Sequence, residues 1–344
     1  MTPKAYNYAV LIGRFQPFHL GHLHVFEKAL TQAEHLIILV GSSGGPRSIR
    51  NPFTFTERQT IIRTSLPSAF DNKTTLRPLL DFTYDDDKWT QAVQSQIDEI
   101  AGKQKSIVLI GHDKDETTYY LALFPHWAYI EVSNLNGSNA TSIRQDYLAS
   151  TAPEGFSSHL LTRSVNHFLQ SFAKTEHYRY LQQSYQAIED FKASWQRTPY
   201  PVSFITTDAL VRHSSDILLI RRKNHPFKGY LALPGGFLDA TETLLDGCLR
   251  ELAEGTHLAI DAKDLSNCLV THATFDKPNR DPRGRIITCA YYFNISHLAK
   301  KPSIQADDAT DSVAWIDYKT LQRCDVAADH FFIIQYLLKT SGHE

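Results

Sequence analysis

The sequence predicts an α/β protein in two parts, a doubly wound parallel sheet followed by a smaller unit of α+β type. Three observations carry this. Short apolar runs closed by glycine recur in the first half, at residues 8–12 before Gly13, 35–40 before Gly41 and 106–110 before Gly111. Helical periodicity fills the spaces between them, and strand-helix-strand repetition with glycine at strand ends is the pattern of a parallel sheet. Beyond residue 200 the pattern changes to alternating β-type runs, and 344 residues is too long for one ordinary domain.

Each element has its own reason. Strands covered on both faces read as continuous apolar runs, as YAVLI, HLIILV and SIVLI do. Residues 21–32 place Leu23, Val25, Phe26 and Leu30 at helical spacing, and 56–65 and 89–100 follow the same period. Residues 157–197 are rich in Gln, Tyr, His and Leu without glycine, which predicts one or two connecting helices. The stretch Thr198-Pro199-Tyr200-Pro201 breaks that pattern. Strands are expected at 202–211, 216–222, 286–294 and 312–315, with a helix over 241–254. The expected divisions are 1–156, a helical connector over 157–199, and 200–344.

Composition excludes several function classes. Apolar content of 42%, charged content of 21% and a net charge of -2 describe a globular chain without the basic surplus of a nucleic-acid or membrane-surface binder. No apolar run approaches the roughly 20 residues of a membrane span, and no signal-peptide pattern opens the chain. Cys248, Cys268, Cys289 and Cys324 form no C-x-x-C pair, which suits buried free thiols in a reducing compartment. A cytoplasmic protein is expected; a homo-oligomer is compatible with all of this.

The segment 13–22 (GRFQPFHLGH) joins the first strand to the first helix. Such a turn aims backbone N–H groups and the positive helix end at an anion. Arg14, His19 and His22 can surround a triphosphate, while Gly13, Phe15 and Gly21 shape the turn. Capping of the helix by the two histidines is the plainer reading. The segment resembles the H-x-G-H signature of the nucleotidyltransferase superfamily, a Rossmann-like fold in which the two histidines contact ATP phosphates. Two further segments narrow the likeness. Residues 48–58 (SIRNPFTFTER) resemble the R-[ND]-P-F-T-x-x-E-R stretch of archaeal-type NMN adenylyltransferases, and 139–144 (NATSIR) their late S/T-x-I-R motif. The resemblance implies that Arg50 and Arg144 bind phosphate in the transition state, that Thr141 and Ser142 donate hydrogen bonds, and that Trp89 stacks on the nicotinamide ring. Glu57 and Arg58 read as helix-surface charges.

Residues 234–238 (PGGFL), Glu242 and 250–254 (RELAE) resemble the Nudix box, G-x5-E-x7-R-E-U-x-E-E-x-G-U. Carboxylates at i, i+3 and i+4 share a helix face and can hold hard divalent cations against a diphosphate. Glu251 and Glu254 supply two; Gly255 stands at the third position and His257 at the later glycine. Gly255 removes a ligand and, as a poor helix former, is expected to end the helix early. Asp307 or Asp308 can fill the gap. Residues 279–285 (NRDPRGR) resemble a segment of Nudix domains that hydrolyse ADP-ribose in proteins fused to this kind of adenylyltransferase. By that likeness Gly236, Arg283 and Arg285 bind ADP-ribose.

The expected activity is ATP plus NMN to NAD and pyrophosphate, with nicotinate mononucleotide as an alternative acceptor. Mg²⁺ is the expected ion, with Mn²⁺ as an alternative in the Nudix domain. That domain would hydrolyse ADP-ribose to AMP and ribose 5-phosphate, with Glu251 catalytic. Two alternatives stand: a Nudix domain that only binds and regulates, and an H-x-G-H transferase for another acceptor such as phosphopantetheine.

Overall fold

The computed structural model describes residues 4–102, 105–111, 123–133, 135, 139–307 and 310–342. The chain divides into two units, Met1–Gln182 and Gln183–Glu344. In the first, β1 (Tyr6–Gly13), β2 (Ala33–Ser43), β3 (Thr74–Leu80), β4 (Ile107–Gly111) and β5 (Ala128–Glu131) form one sheet in the order β3-β2-β1-β4-β5. Every neighbouring pair is parallel, as expected of a doubly wound sheet. The strand order reverses between β1 and β4, and the crevice beyond the strand ends at such a switch is where ligands bind. Gly13 and Gly111 close those two strands.

Helices α1 (Leu20–Gln32), α2 (Phe55–Ser65), α3 (Asp86–Ala101) and α4 (Ala140–Ala149) complete this unit's layers. Val10, Ile37, Leu39 and Leu109 of the strands pack with Val93 and Ile97 of α3 in a buried cluster. Strands β3 and β5 were not foreseen. Both lie at sheet edges, where one partner strand suffices and the apolar run is not required; β3 even carries Arg77 and Pro78.

The connector region forms α5 (Arg163–Phe172) and α6 (Glu176–Trp195). Helix α5 is tied down by Tyr147, whose hydroxyl donates to Leu169 O at 2.7 Å. The boundary between units falls inside α6.

The second unit is built on a sheet in the order β10-β11-β6-β7-β12, from β6 (Ser203–His213), β7 (Asp216–Arg222), β10 (Leu269–Phe275), β11 (Arg285–Asn294) and β12 (Thr310–Asp317). Short β8 (Leu231–Ala232) pairs with β7 and β9 (Gly235–Phe237) with β6. Strands β11 and β6 run parallel and the other pairs antiparallel. Helix α7 (Leu244–Thr256) buries Cys248 and Leu252 against Ala209, Val211 and Phe293. Short α8 (Ala262–Ser266) and the terminal α9 (His330–Thr340) were not foreseen. All four cysteines are free, Cys248 and Cys289 buried, whereas Cys324 is exposed and not buried as expected. Among the described residues no helix is long and apolar enough to cross a membrane.

Helix α7 corrects one expectation. It runs past Gly255 to Thr256 and closes on His257, which takes the left-handed conformation (φ 41°, ψ 41°) and donates its N–H to Ala253 O at 2.9 Å. Glycine costs about 1 kcal/mol in a helix. Here the last turn is held from outside: Thr256 is fully buried, its hydroxyl donates to Leu252 O, and its carbonyl accepts from Gln305 N.

Candidate active sites

The first site collects at the ends of β1 and β2 and the starts of α1 and α4. His19 is the N-cap of α1 and 1% exposed; its ring stacks on His22 with centroids 3.7 Å apart. His22 Nδ1 accepts the His19 N–H at 3.2 Å. An imidazole that accepts through Nδ1 is neutral and carries its proton on Nε2, so that N–H can donate to a ligand. The plainer capping role is thus present too, in the same side chain.

Phe15 stands at φ 52°, and its ring lies so close to Gly13 that a Cβ there would sit 2.8 Å from it. The ring is buried among Phe18, Phe26 and His22, where it supports His22. Gly21 is buried in the first turn of α1.

Three guanidinium groups meet here. Arg14 Nη1 is buried with no hydrogen-bond partner among the described residues. Burial, then the nearby Arg50 charge, pulls the Arg14 pKa down to about 10. Arg144 falls to about 9 by burial and by the charges of Arg14 and Arg50. Both stay charged at neutral pH, and the depression reflects a cost that an anion would relieve. Arg50 is exposed. Arg144 also ties the three motifs together: it donates to Gln16 O at 2.6 Å, to Ile49 O at 3.2 Å and to Thr141 Oγ1 at 3.1 Å. Thr141 and Ser142 are exposed in the first turn of α4, capped by Asn139. Trp89 is half-buried in the first turn of α3, 6.1 Å from the Phe124 ring.

Three residues do more than the sequence suggested. Gln16 donates to Phe53 O and accepts from Phe53 N, both at 2.9 Å, joining the first two motifs as a strand partner would. Arg58 is not a surface charge: it is 1% exposed and donates to Arg14 O, Gly41 O, Ser42 O and Ser43 Oγ. Its position was legible, since residue 58 shares a helix face with the buried Ile61 and Ile62. Glu57 likewise closes a capping box with Thr54 and takes both Arg47 amino groups, at 2.7 and 2.9 Å.

The second site surrounds α7. Arg250 grips Glu242 with two bonds of 2.9 and 2.7 Å, and reaches Glu251 at 3.0 Å and Glu254 at 3.1 Å. Hydrogen bonding from Arg250 lowers the Glu242 pKa to about 2. Burial moves Glu251 the other way, above the usual carboxylate range. A Cβ on Gly236 would sit 2.3 Å from Glu251 Oε2, so glycine is what lets that carboxylate lie against β9. Glu251, Glu254, Gly255, Asp307, Lys223 and Thr310 line one cleft of about 190 Å³. Two carboxylates on one helix face of a polar cleft fit a hard divalent cation. Among the described residues no three acidic, His or Cys side chains are grouped to hold a metal, in keeping with the glycine at 255. Asp307 comes to this cleft; Asp308 lies outside the described residues.

Arg283 lines a different cleft, its guanidinium paired with Asp281 at 3.0 and 2.8 Å. Arg285 reaches back to the Asp276 carbonyl.

A parallel-sheet phosphate cradle and a carboxylate helix beside a Gly-Gly turn define a nucleotidyltransferase joined to a Nudix hydrolase-type domain. Residues 10–158 match the family described as cytidylyltransferase-like, and residues 203–337 match the NUDIX domain. The nicotinamide/nicotinic acid mononucleotide adenylyltransferase of Acinetobacter baylyi is 37% identical over 188 residues, 53% of this chain and 95% of that protein. The ADP-ribose pyrophosphatase of Methanocaldococcus jannaschii is 33% identical over 131 residues, 38% of this chain and 70% of that one. A crystal structure from Francisella tularensis, a bifunctional NMN adenylyltransferase/ADP ribose pyrophosphatase with AMP and a Mn ion, matches with a TM-score of 0.91 at 34% identity. It covers 98% of this chain and 100% of its own. The chain belongs to the family of bifunctional NMN adenylyltransferase/ADP-ribose pyrophosphatases.

Replacing Arg58 by Met should strand several buried acceptors and cost about 3 kcal/mol. Calorimetry should show an earlier unfolding transition; an unchanged midpoint would mean that those carbonyls find other partners.

Proposed function

We propose that the first unit transfers the AMP moiety of ATP to NMN, and that the second hydrolyses ADP-ribose. The observation that carries the first half is the stacked His19–His22 pair beside Arg14, whose buried Nη1 has no hydrogen-bond partner among the described residues. A buried donor of this kind calls for an acceptor, and a triphosphate supplies several. Arg14, Arg50 and Arg144 would bring two anionic substrates together, with Thr141 and Ser142 donating to phosphate oxygens at the start of α4.

An oxygen of the NMN phosphate attacks the α-phosphorus of ATP in line. The bond from that phosphorus to the bridging oxygen breaks, and pyrophosphate leaves with the electron pair. His22 Nε2–H and the arginines stabilise the charge that develops on the leaving group. No protein nucleophile is needed, because the attacking phosphate is already an anion. Mg²⁺ on the triphosphate would share in this neutralisation. Trp89 is the stacking surface proposed for the nicotinamide ring, and nicotinate mononucleotide is the alternative acceptor.

In the second unit Glu251 and Glu254 would hold Mg²⁺ or Mn²⁺, which would polarise the diphosphate. Water adds to one phosphorus, the P–O–P bridge breaks, and AMP and ribose 5-phosphate result, with the water proton passing to a carboxylate. Asp307 is the additional acid that the cleft offers in place of a third helix glutamate.

Incubating the protein with ATP plus NMN, and separately with ADP-ribose, each with Mg²⁺ or Mn²⁺, tests both halves by product identity. His22→Ala should lower NAD formation by about 10²- to 10³-fold while ADP-ribose turnover persists. Parallel loss of both would point to misfolding.

Glu251→Gln should abolish ADP-ribose turnover, and turnover that ignores this change would refute the metal assignment. Gly255→Glu should raise turnover at limiting metal. The nearest atom to a Cβ at 255 is Thr310 Oγ1 at 3.7 Å, an ordinary contact, so the longer side chain has room. No gain would show that Asp307 already serves in its place.

A further inference from the structure

Arg50 sits on the chain between β2 and α2, at the tip of a tight turn. Ser48 N–H donates to Asn51 O at 3.2 Å, and Asn51 N–H donates back to Ser48 O and Ser48 Oγ, each at 3.1 Å. Ile49 and Arg50 are the two residues between them. Arg50 is exposed, and a long side chain on a surface turn samples many positions unless the turn itself is held.

Arg47 holds the base of that turn. Its Nη1 donates to Pro52 O and to Glu57 Oε2, both at 2.7 Å, and its Nη2 donates to Glu57 Oε1 at 2.9 Å. The side chain of the residue before the turn thus closes on the carbonyl of the residue after it. A planar fork of donors suits this task, because it meets a carboxylate with two bonds and still reaches a carbonyl. Glu57 is fixed in its turn by Thr54 N–H, which donates to Oε2 at 2.7 Å at the start of α2. The Arg47 and Glu57 side chains are only 15% and 24% exposed, so solvent screens this pair less than a surface pair.

The clamp stands on α5. The Arg47 guanidinium lies over the Phe172 ring, 5.5 Å from its centroid. Phe53, which follows Pro52, meets Phe172 at 5.1 Å and Phe168 at 5.3 Å, both edge-on. Hydroxyls fasten the start of α5 to the end of α2: Ser65 Oγ lies 2.9 Å from Thr162 Oγ1 and 3.0 Å from Ser164 Oγ. With Glu57 taking both of its amino groups, Arg47 is a brace and not a fourth phosphate cation.

We propose that Arg47 is a positioning residue of the adenylyl transfer. By clamping the base of the 48–51 turn against α2 and α5, it fixes the place from which Arg50 reaches phosphate. The proposal rests on the reading of the first unit as an adenylyltransferase in which Arg50 acts on the phosphates.

The test uses the full-length protein. Arg47→Ala should lower kcat for NAD formation about 10- to 100-fold, with KM for ATP and NMN within about threefold of wild type. Combined with Arg50→Ala it should add less than about twofold, because the turn then has no guanidinium left to place. A loss that multiplies in full with that of Arg50→Ala overturns the proposal and leaves Arg47 a general support of the fold. Arg47→Lys keeps the charge without the fork, so it should fold and still lose several-fold in kcat. Wild-type kcat in that variant also overturns the proposal. Hydrogen exchange at the Ser48 and Asn51 amides should quicken in both Arg47 variants, and unchanged exchange there overturns the clamp itself. That measurement needs no turnover, so failure of the functional reading is separately visible as a wild type that forms no NAD from ATP and NMN.

Discussion

A buried guanidinium holds the first site together. Arg58 reaches the carbonyls of Arg14, Gly41 and Ser42, the residues at which β1 and β2 end and their turns begin. Carbonyls at the ends of parallel strands have no ladder partner beyond the sheet, and burying them unsatisfied is costly. A single planar donor with several N–H groups answers them together. Arg144 and Gln16 extend the same solution to the loop over 48–53 and to the start of α4. The groups proposed to face phosphate can then be held in place before any ligand arrives, which is the condition for electrostatic catalysis.

That design has a consequence for charge. Arg14, Arg50 and Arg144 repel one another within a partly buried space, and burial works against the two inner ones. Among the described residues, the counterweights are hydrogen bonds to backbone dipoles for Arg144 and the charge of the Asp81 carboxylate for Arg14. A polyanion is the natural complement. The second unit inverts the arrangement: one arginine, Arg250, gathers Glu242, Glu251 and Glu254, and Glu251 and Glu254 line a cleft together with Asp307, Arg222 and Lys223.

Much of the fold was legible because the first sheet is parallel. Strands buried on both faces must be apolar throughout, so β1, β2 and β4 stand out, whereas the edge strands β3 and β5 escape that demand and were invisible. The helix of the second unit was legible from its spacing of carboxylates, but its end was not. Gly255 argued for an early stop, and contacts to Thr256 from residues distant in sequence overruled it.

The sequence by itself determined the chemistry available: two histidines and three arginines in the turns and helix starts beyond the strands, and two carboxylates on one helix face with glycine in the third place. These follow from local spacing, and local spacing survives folding. Only the tertiary structure decided which charges do which work. Arg58 became an internal fastener because its helix face is buried. Arg283, expected from its resemblance to bind ADP-ribose, has its guanidinium taken by Asp281 two residues before it and lies against Phe191 and Phe237, which come from distant parts of the sequence. Partner choice of that kind depends on which groups are brought within hydrogen-bond distance, and chain spacing does not encode it.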